Sequence, residues 1–152
     1  MTATIDISDS IAYRIYRAQR LLRRHLFHLV AKAGEELTPE QWFVLNKLRL
    51  DDGQAQVELG AAIFADRPNI TRIVTGLERR GLIDRRRDPS DGRRMLVHLT
   101  PEGRSVHDRV ADVVPAARDA LFAGIPEDEM ATAAAVLGRI EANILADSDP
   151  TD

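Results

Sequence analysis

The chain contains no cysteine, and aromatic residues make up only 5% of its 152 residues. The lack of cysteine excludes disulfide bonds, zinc sites built on thiolates and sensing by thiol oxidation. Few aromatics, together with frequent alanine in the last third, favour the packing of helix on helix over a sheet sandwich. At this length we expect a single folded domain, residues 1–152.

Long apolar runs are also missing. No run approaches the roughly 18 residues that would cross a bilayer, and the first ten residues carry acidic side chains where a secretory signal would carry basic ones. We therefore expect a cytoplasmic protein with no membrane partner.

Catalytic patterns are equally scarce. The four histidines are scattered and no glycine-rich phosphate loop is present, so the sequence predicts neither an enzyme nor a cofactor. His25 and His28 lie three residues apart on one helical face and could ligate a metal. Without nearby carboxylates this is a weak signal, and we predict no metal site; dimer-interface or partly exposed histidines are the simpler interpretation.

Positive charge is concentrated in one segment. The chain has a formal net charge of −3, yet residues 66–104 contain ten Lys/Arg against six Asp/Glu, and residues 105–152 contain three against ten. Screening confines electrostatic fields to about 8–10 Å at physiological salt. The basic middle segment can therefore attract phosphates although the whole chain is acidic.

The N-terminal half reads as two helices. Apolar residues recur at spacings of three and four from about Ser10 to Lys32, and Gly34 ends this first helix. Thr38, Pro39 and Gln41 then form a capping-box pattern that begins a second helix. The first helix is about 30 Å long, so we expect part of its apolar stripe to meet another chain; an ordinary core helix is the alternative.

A helix-turn-helix follows. We predict a short helix over Gln54–Phe64, a turn at residues 64–66, and a second helix with Asp66 as its N-cap and Gly81 just past its end. In this second helix the apolar residues gather on one side, and the opposite side and its flanks are polar or small. Arg, Asn and Thr are the side chains that read base edges in a major groove, although a solvated face is the other possible interpretation. The candidates for DNA contact on this helix are Arg67, Pro68, Asn69, Thr71, Arg72, Thr75 and Arg79.

An arginine-rich hairpin comes next. Ile83–Arg87 and Met95–Leu99 read as strands joined by the turn-forming sequence DPSDG. Five arginines flank the turn, and like charges concentrated there repel one another unless anions are near. Arginine at a protruding tip can enter a minor groove or bind phosphates. We take Arg86, Arg93 and Arg94 as further candidates for DNA contact.

The last third is helical. Thr100 and Pro101 begin a helix that Pro115 should kink or split near Val114, and Pro126 precedes a final helix that is apolar on more than one side. Burial of this final helix against several helices is the simplest explanation of its pattern. Residues 147–152 are predicted to be a disordered tail.

Taken together, LTPEQWFVLNKL and VELGAAIFADRPNITRIVTGLERRGLIDRRRDPSDGRRMLVHLTPEGR resemble the MarR family of winged helix-turn-helix transcriptional regulators. The most specific likeness is the wing signature, here Asp91, Arg93, Leu99, Thr100 and Gly103. The sequence departs from the family pattern at Gly60, where alanine is usual, at Gly76, where a polar residue is common, and at Arg94, where a small residue is usual.

The resemblance implies a mainly α fold with a small β-hairpin wing. Residues 38–99 would form the winged helix-turn-helix DNA-binding lobe, with Arg67–Arg80 as recognition helix and Arg93 at the wing tip, and residues 10–33 and 100–146 would form the dimerisation helices. The implied function is a homodimeric repressor that binds a pseudo-palindromic double-stranded DNA operator. A transcriptional activator, or a winged-helix protein-interaction module without specific DNA binding, are the alternatives.

Family resemblance also implies a small-molecule effector, often an aromatic or phenolic anion. Tyr16, Phe27, His28 and Trp42 are the residues that we consider for such a site, with a role in core packing as the alternative for each. Whether an effector exists is not encoded in any motif of the sequence.

Overall fold

The computed structural model describes Ile7 and residues 10–147. In chain order these residues form α1 (Ile11–Lys32), α2 (Pro39–Leu50), β1 (Gln54–Ala55), α3 (Gln56–Ala62), α4 (Arg67–Arg79), β2 (Ile83–Arg87), β3 (Met95–Leu99), α5 (Pro101–Ala111), α6 (Val114–Leu121) and α7 (Glu127–Asp147). The predicted fold class, mainly α with a small β wing, is confirmed.

The chain divides into two compact units, and the division falls between Pro115 and Ala116, within α6. The first unit has a continuous apolar core to which α2, α3, α4, α5 and the strands all contribute. Leu45, Leu59 and Leu77 are fully buried there. Burial of each such leucine is worth about 1.5–3 kcal/mol, so this core fixes how the helices and strands are placed.

Helix ends in the first unit follow the local sequence closely. Thr38 Oγ1 accepts a hydrogen bond from the backbone of Gln41, whose side chain accepts one from the backbone of Thr38, which completes the predicted capping box. Asp66 caps α4 through the backbone N–H of Asn69 at 2.8 Å. Gly81 adopts φ +69° just past α4, a conformation that glycine accepts at little cost.

The sheet differs from the prediction in one respect. Gln54 and Ala55 were expected to begin the helix, but they form a short strand that pairs with Val97 and Leu96, so the sheet has three strands in the order β1-β3-β2. The physical reason is long-range, because β3 offers an unpaired edge to the chain where it leaves the Asp51–Gly53 break. The hairpin itself has the predicted bounds, with Ile83 opposite Leu99 and Arg87 opposite Met95.

The turn between α3 and α4 contains a strained residue. Phe64 has φ +51°, which is uncommon for a residue other than glycine. The turn is closed by a hydrogen bond from the Ala65 backbone to the Gly60 carbonyl at 2.9 Å. This tight closure fixes the entry of α4 relative to α3.

Pro115 lies where the C-terminal helices separate. The helix begun at Thr100 is split as predicted, since α5 ends at Ala111 and α6 begins at Val114. Proline is tolerated here because a backbone N–H in the first turn of a helix has no acceptor within the helix, so its absence removes no hydrogen bond.

The second unit contains the rest of α6 and all of α7, and neither helix has a buried residue. The prediction that α7 is buried against several helices is therefore wrong for the single chain: Leu137, Ile144 and Leu145 are exposed. Of the predicted tail, Asp147 ends α7 and residues 148–152 lie outside the described residues.

Candidate DNA interface

Helix α4 presents its polar side outward because its apolar side is held in the core. Ile70, Ile73, Val74 and Leu77 are buried. Of the predicted contact residues on α4, Asn69 and Thr75 are half-buried, and those that remain exposed are Arg67, Pro68, Thr71, Arg72 and Arg79. The structure thus brings all seven together on one accessible side of one helix.

Hydrogen bonds already order part of this side. Arg72 donates to the side-chain oxygen of Asn69 at 2.8 Å. The Thr71 hydroxyl donates to the Arg67 carbonyl at 2.8 Å and accepts from Nε2 of Gln56, also at 2.8 Å. Gln56 lies at the start of α3, and no periodicity or motif in the sequence indicated that it would contact α4.

The wing lies against α4 through Arg85. Its guanidinium donates to the Thr75 hydroxyl at 3.4 Å and lies 3.5 Å from a Glu78 carboxylate oxygen. Arg85 is only half-exposed, so this arginine joins the hairpin to the helix and is not available at the tip.

Most other wing arginines also have partners. Arg86 pairs with Asp84 at 2.8 Å, and the hydrogen bond that Arg86 donates to Asp84 raises the pKa of Arg86 above its usual value. Arg87 donates to the Gly92 carbonyl at 3.0 Å, and Arg94 forms an ion pair with Glu58 of α3 at 3.1 Å. Arg94 therefore links the wing to α3.

Arg93 is different. Within Ile7 and residues 10–147 it is the one wing arginine whose guanidinium has neither a hydrogen-bond nor an ion-pair partner. Its backbone N–H donates to Asp91 at 3.0 Å, which shapes the turn beneath it. An exposed arginine at the tip of an ordered turn is suited to contact phosphates or a minor groove.

The turn itself is stabilised by Asp88. Its carboxylate accepts hydrogen bonds from the Ser90 backbone at 2.8 Å and from the Ser90 hydroxyl at 2.6 Å. Both hydrogen bonds lower the pKa of Asp88, and the one from the Ser90 hydroxyl has the larger effect. The turn-forming residues of DPSDG thus position Arg93 through local hydrogen bonds.

Asp52 secures the base of the wing. One carboxylate oxygen accepts from the Leu99 backbone at 2.8 Å, and the other lies 3.3 Å from Arg104 of α5 and 3.5 Å from His98. Gly103 contributes to the same junction, because a Cβ at this position would collide with the carbonyl group of Leu82. The wing is consequently attached to α5 at the end of β3 and at Leu82, the residue before β2.

Two of the departures from the family pattern are explained by packing. A Cβ on Gly60 would lie 3.2 Å from the Ala65 carbonyl oxygen and from the Ile70 side chain, and a Cβ on Gly76 would lie 3.1 Å from Nε2 of Gln41. Both glycines allow helices to approach closely. For Gly76, the contact with Gln41 supports an explanation by packing.

The candidate effector residues are not gathered in one place. Phe27 and His28 make an edge-on ring contact at 6.3 Å and line an open depression of about 810 Å³ on α1, together with Arg20 and Arg24. Tyr16 is exposed, and its hydroxyl accepts from Arg20 at 3.4 Å. Tyr16 is not among the residues that line this depression.

Trp42 has a different environment. Its ring stacks on His107 with centroids 6.0 Å apart, and its buried indole N–H has no hydrogen-bond partner among the described residues. His107 is itself buried between Asn46 at 3.0 Å and Asp108 at 2.9 Å. The hydrogen bond from His107 lowers the pKa of Asp108. No motif or spacing in the sequence indicated this contact between α2 and α5.

No group of three or more potential metal-binding side chains is present in the part of the chain that the structure describes. In the same residues, no helix is both long and apolar enough to cross a membrane.

Comparison with known proteins identifies the family to which this architecture belongs. The family model described as "MarR family" matches residues 37–95. The PcaV transcriptional regulator from Streptomyces coelicolor, solved with its natural ligand, is 33% identical with a TM-score of 0.81, and the match covers 93% of this chain and 98% of that one. The chain belongs to the MarR family of transcriptional regulators. It is accordingly a DNA-binding regulator of transcription and not an enzyme.

Other MarR-like structures extend the comparison. A probable transcriptional regulator from Pseudomonas aeruginosa is 30% identical with a TM-score of 0.79, covering 89% of this chain and 99% of that one. The transcriptional repressor CouR bound to a 23-mer DNA duplex is 29% identical with a TM-score of 0.79, covering 91% and 99%. CouR has also been solved with p-coumaroyl-CoA.

Proposed function

We propose that this MarR-family protein is a cytoplasmic homodimeric repressor of a pseudo-palindromic operator, with α4 in the major groove and the wing on the adjacent backbone or minor groove. The observation that carries the proposal is that α4 presents its polar side outward while Arg93, at the wing tip, has no side-chain partner among the described residues. Asn69, Arg72 and Thr71 would face base edges, whereas Arg93 would contact phosphates or the minor groove. Arg67, Pro68, Thr75, Arg79, Arg86 and Arg94 complete the proposed interface.

The exposed apolar surface supports the homodimer. On α1, Ile11, Leu22 and Phe27 are exposed, and on α7, Leu137 and Leu145 are exposed. Removal of such surface from water is favourable at about 25 cal/mol per Å², and large exposed apolar patches mark association surfaces. Two-fold symmetry would place two recognition helices on half-sites about one DNA turn apart.

We further propose that a small aromatic ligand releases the operator. The PcaV structure contains its natural ligand and CouR has been solved with p-coumaroyl-CoA, which supports ligand control of a similar kind here. Phe27 and His28 are the best placed candidates, because they share the depression on α1 with three arginines that would attract an anion. Tyr16 and Trp42 are weaker candidates. For the ligand to release the operator, it must bind the dimer conformation that cannot bind DNA more tightly than the conformation that can.

A salt titration tests the DNA-binding mode. The measurement is binding to an operator, selected from random duplexes, and to an unselected duplex across a range of salt concentrations. We expect affinity to fall steeply, with a log–log slope of about −0.9 per phosphate neutralised. Absence of binding to either duplex at low salt would reject the proposed interface in favour of a protein-interaction module.

Two arginine variants separate base reading from backbone contact. Arg72→Ala should cost about 1–3 kcal/mol on the operator and relax selectivity at one base position. Arg93→Ala should weaken binding to both duplexes alike and reduce the salt slope by about 0.9. Arg49→Ala is the control, since it removes the same charge from α2, where Arg49 pairs with Asp108. Equal losses for Arg72→Ala on both duplexes would contradict the base-reading role.

A further inference from the structure

Gln56 connects α3 to the DNA-facing side of α4. Its side-chain Nε2 donates to Thr71 Oγ1 at 2.8 Å. Gln56 is half-buried and lines the cleft of about 440 Å³ between α3 and α4, whose other lining residues include Gly60, Ala65 and Ile70. The glutamine side chain therefore provides a polar link across a cleft that is otherwise lined mainly by small and apolar residues.

The bonding of the Thr71 hydroxyl determines what Thr71 can offer to DNA. A hydroxyl has one hydrogen to donate, and Thr71 gives it to the Arg67 carbonyl at 2.8 Å. The bond from Gln56 occupies one of the two lone pairs. The hydroxyl has no hydrogen left for a base acceptor, and the γ-methyl group is the part of this exposed side chain without a polar partner.

The Gln56 bond also selects the side-chain conformation. Threonine in a helix divides between two χ1 rotamers because its hydroxyl can bond a carbonyl in the preceding turn. A donor from α3 stabilises the rotamer in which Oγ1 lies at that carbonyl. Without Gln56, the hydroxyl loses one of its two partners, and the second rotamer, in which rotation about χ1 moves the methyl group away from its present position, becomes more populated.

We propose that Gln56 is a specificity-determining residue: it holds the Thr71 hydroxyl on the backbone of α4 and so makes Thr71 contact a thymine 5-methyl group. An apolar contact with this methyl distinguishes thymine from the other bases in the major groove. The inference rests on the proposed role of α4 as the recognition helix. Gln56 acts through Thr71 and need not touch a base.

Replacing single thymines by deoxyuridine in the selected operator tests the proposal, because this change removes the methyl group and leaves the base pair intact. In the wild-type protein, one thymine in each half-site should show about a fourfold loss of affinity, the effect of one buried methyl group. Thr71→Val keeps a methyl and should retain this loss at the same thymine. Thr71→Ser has no methyl and should show no loss there.

Gln56→Met tests the positioning role. Methionine has nearly the size of glutamine but donates no hydrogen bond, and it should reduce the deoxyuridine effect at that thymine by about half or more as the second rotamer of Thr71 is populated. Val57→Met is the control, because it places the same side chain one residue later, where Val57 is exposed. It should leave the effect unchanged, and thermal unfolding checks that both variants fold.

The outcomes separate this inference from the proposed interface. A full deoxyuridine effect in folded Gln56→Met, or loss of the effect in Thr71→Val with retention in Thr71→Ser, would overturn the inference while leaving α4 as the recognition helix. If no Thr71 or Arg72 variant changes the preference for any base, both the inference and the assignment of α4 are wrong.

Discussion

Helices α4 and α7 both contain many apolar residues, but they differ in how many of these residues they bury. In the 13 residues of α4, four apolar side chains are buried, whereas the 21 residues of α7 include none. The first unit buries the apolar side of α4 within a single copy of the chain, but the second unit leaves Leu137, Ile144 and Leu145 exposed. The difference indicates which part of the molecule folds through internal contacts and which part is suited to association.

Gly103→Ala should have the largest effect on the first unit. A Cβ at this position would collide with the carbonyl group of Leu82, so the wing and α5 would have to separate. We expect a loss of about 3 kcal/mol or more in the free energy of unfolding, measured by urea denaturation. A loss below about 1 kcal/mol, the level of an ordinary mutation, would show that this junction adjusts easily.

Leu145→Asp tests whether α7 buries its apolar surface against a second copy of the chain. Leu145 is 58% exposed in the single chain, so the variant should barely change the fold of one copy. An unpaired charge in an interface costs several kcal/mol, and we expect a rise of about 100-fold or more in the dimer dissociation constant, measured by sedimentation equilibrium.

Asn143→Asp is the matched control for Leu145→Asp. It adds the same charge to α7 two residues earlier, and at about 100° per residue that position lies on the other side of the helix. This variant should leave the dissociation constant nearly unchanged. Equal weakening by both substitutions would mean that charge on α7, and not loss of an apolar contact, controls association.

Gly138→Ala contrasts directly with Gly103→Ala. A Cβ on Gly138 meets nothing within 4 Å, and alanine is favoured over glycine in a helix by about 1 kcal/mol. We expect a stabilisation of up to that amount by thermal or urea unfolding. Destabilisation at protein concentrations that favour association, but not at high dilution, would place Gly138 against a second copy.

The smallest expected effect concerns the attachment of α1 to α2. Arg23 forms an ion pair with Glu40 at 2.9 Å. Burial raises the pKa of Glu40, but the hydrogen bond and charge of Arg23, with other hydrogen bonds, outweigh it, so the net pKa lies below the usual 4.5.

Because the folded-state pKa of Glu40 is depressed, its stabilising contribution is complete above pH 4.5 and is lost as the pH falls through the folded-state value. Both side chains are partly exposed, so the difference from Glu40→Gln should be at most about 1 kcal/mol. Unfolding measured between pH 3 and pH 7 checks this, and a difference that is constant over the whole range would contradict it.

Local signals predicted much of the fold. The bounds of β2 and β3, the capping box at Thr38 and the cap at Asp66 follow from neighbouring residues, since turn and cap preferences act over a few residues. Strand β1 was missed because its pairing depends on β3, more than 40 positions later. The exposure of α7 was missed because an apolar pattern predicts burial but does not identify the chain that provides it.

The proposed site was predictable by residue type but not by contact. Periodicity placed Arg72 on the polar side of α4 with Thr71 and Asn69 on its flanks, and the family resemblance placed Arg93 at the wing tip. The bonds made by Gln56 and Arg85 join residues 15 and 10 positions apart, and no sequence spacing indicates them. Which wing arginine has no side-chain partner among the described residues therefore became evident only once Glu58, Glu78 and Asp84 were located.

Asp52 connects the wing directly to α5. Since one carboxylate binds the backbone of β3 and also Arg104 of α5, we expect the base of the hairpin to move together with the first turn of α5. A rotation of α5 would then displace Arg93, at the far end of the hairpin, by more than it displaces the base.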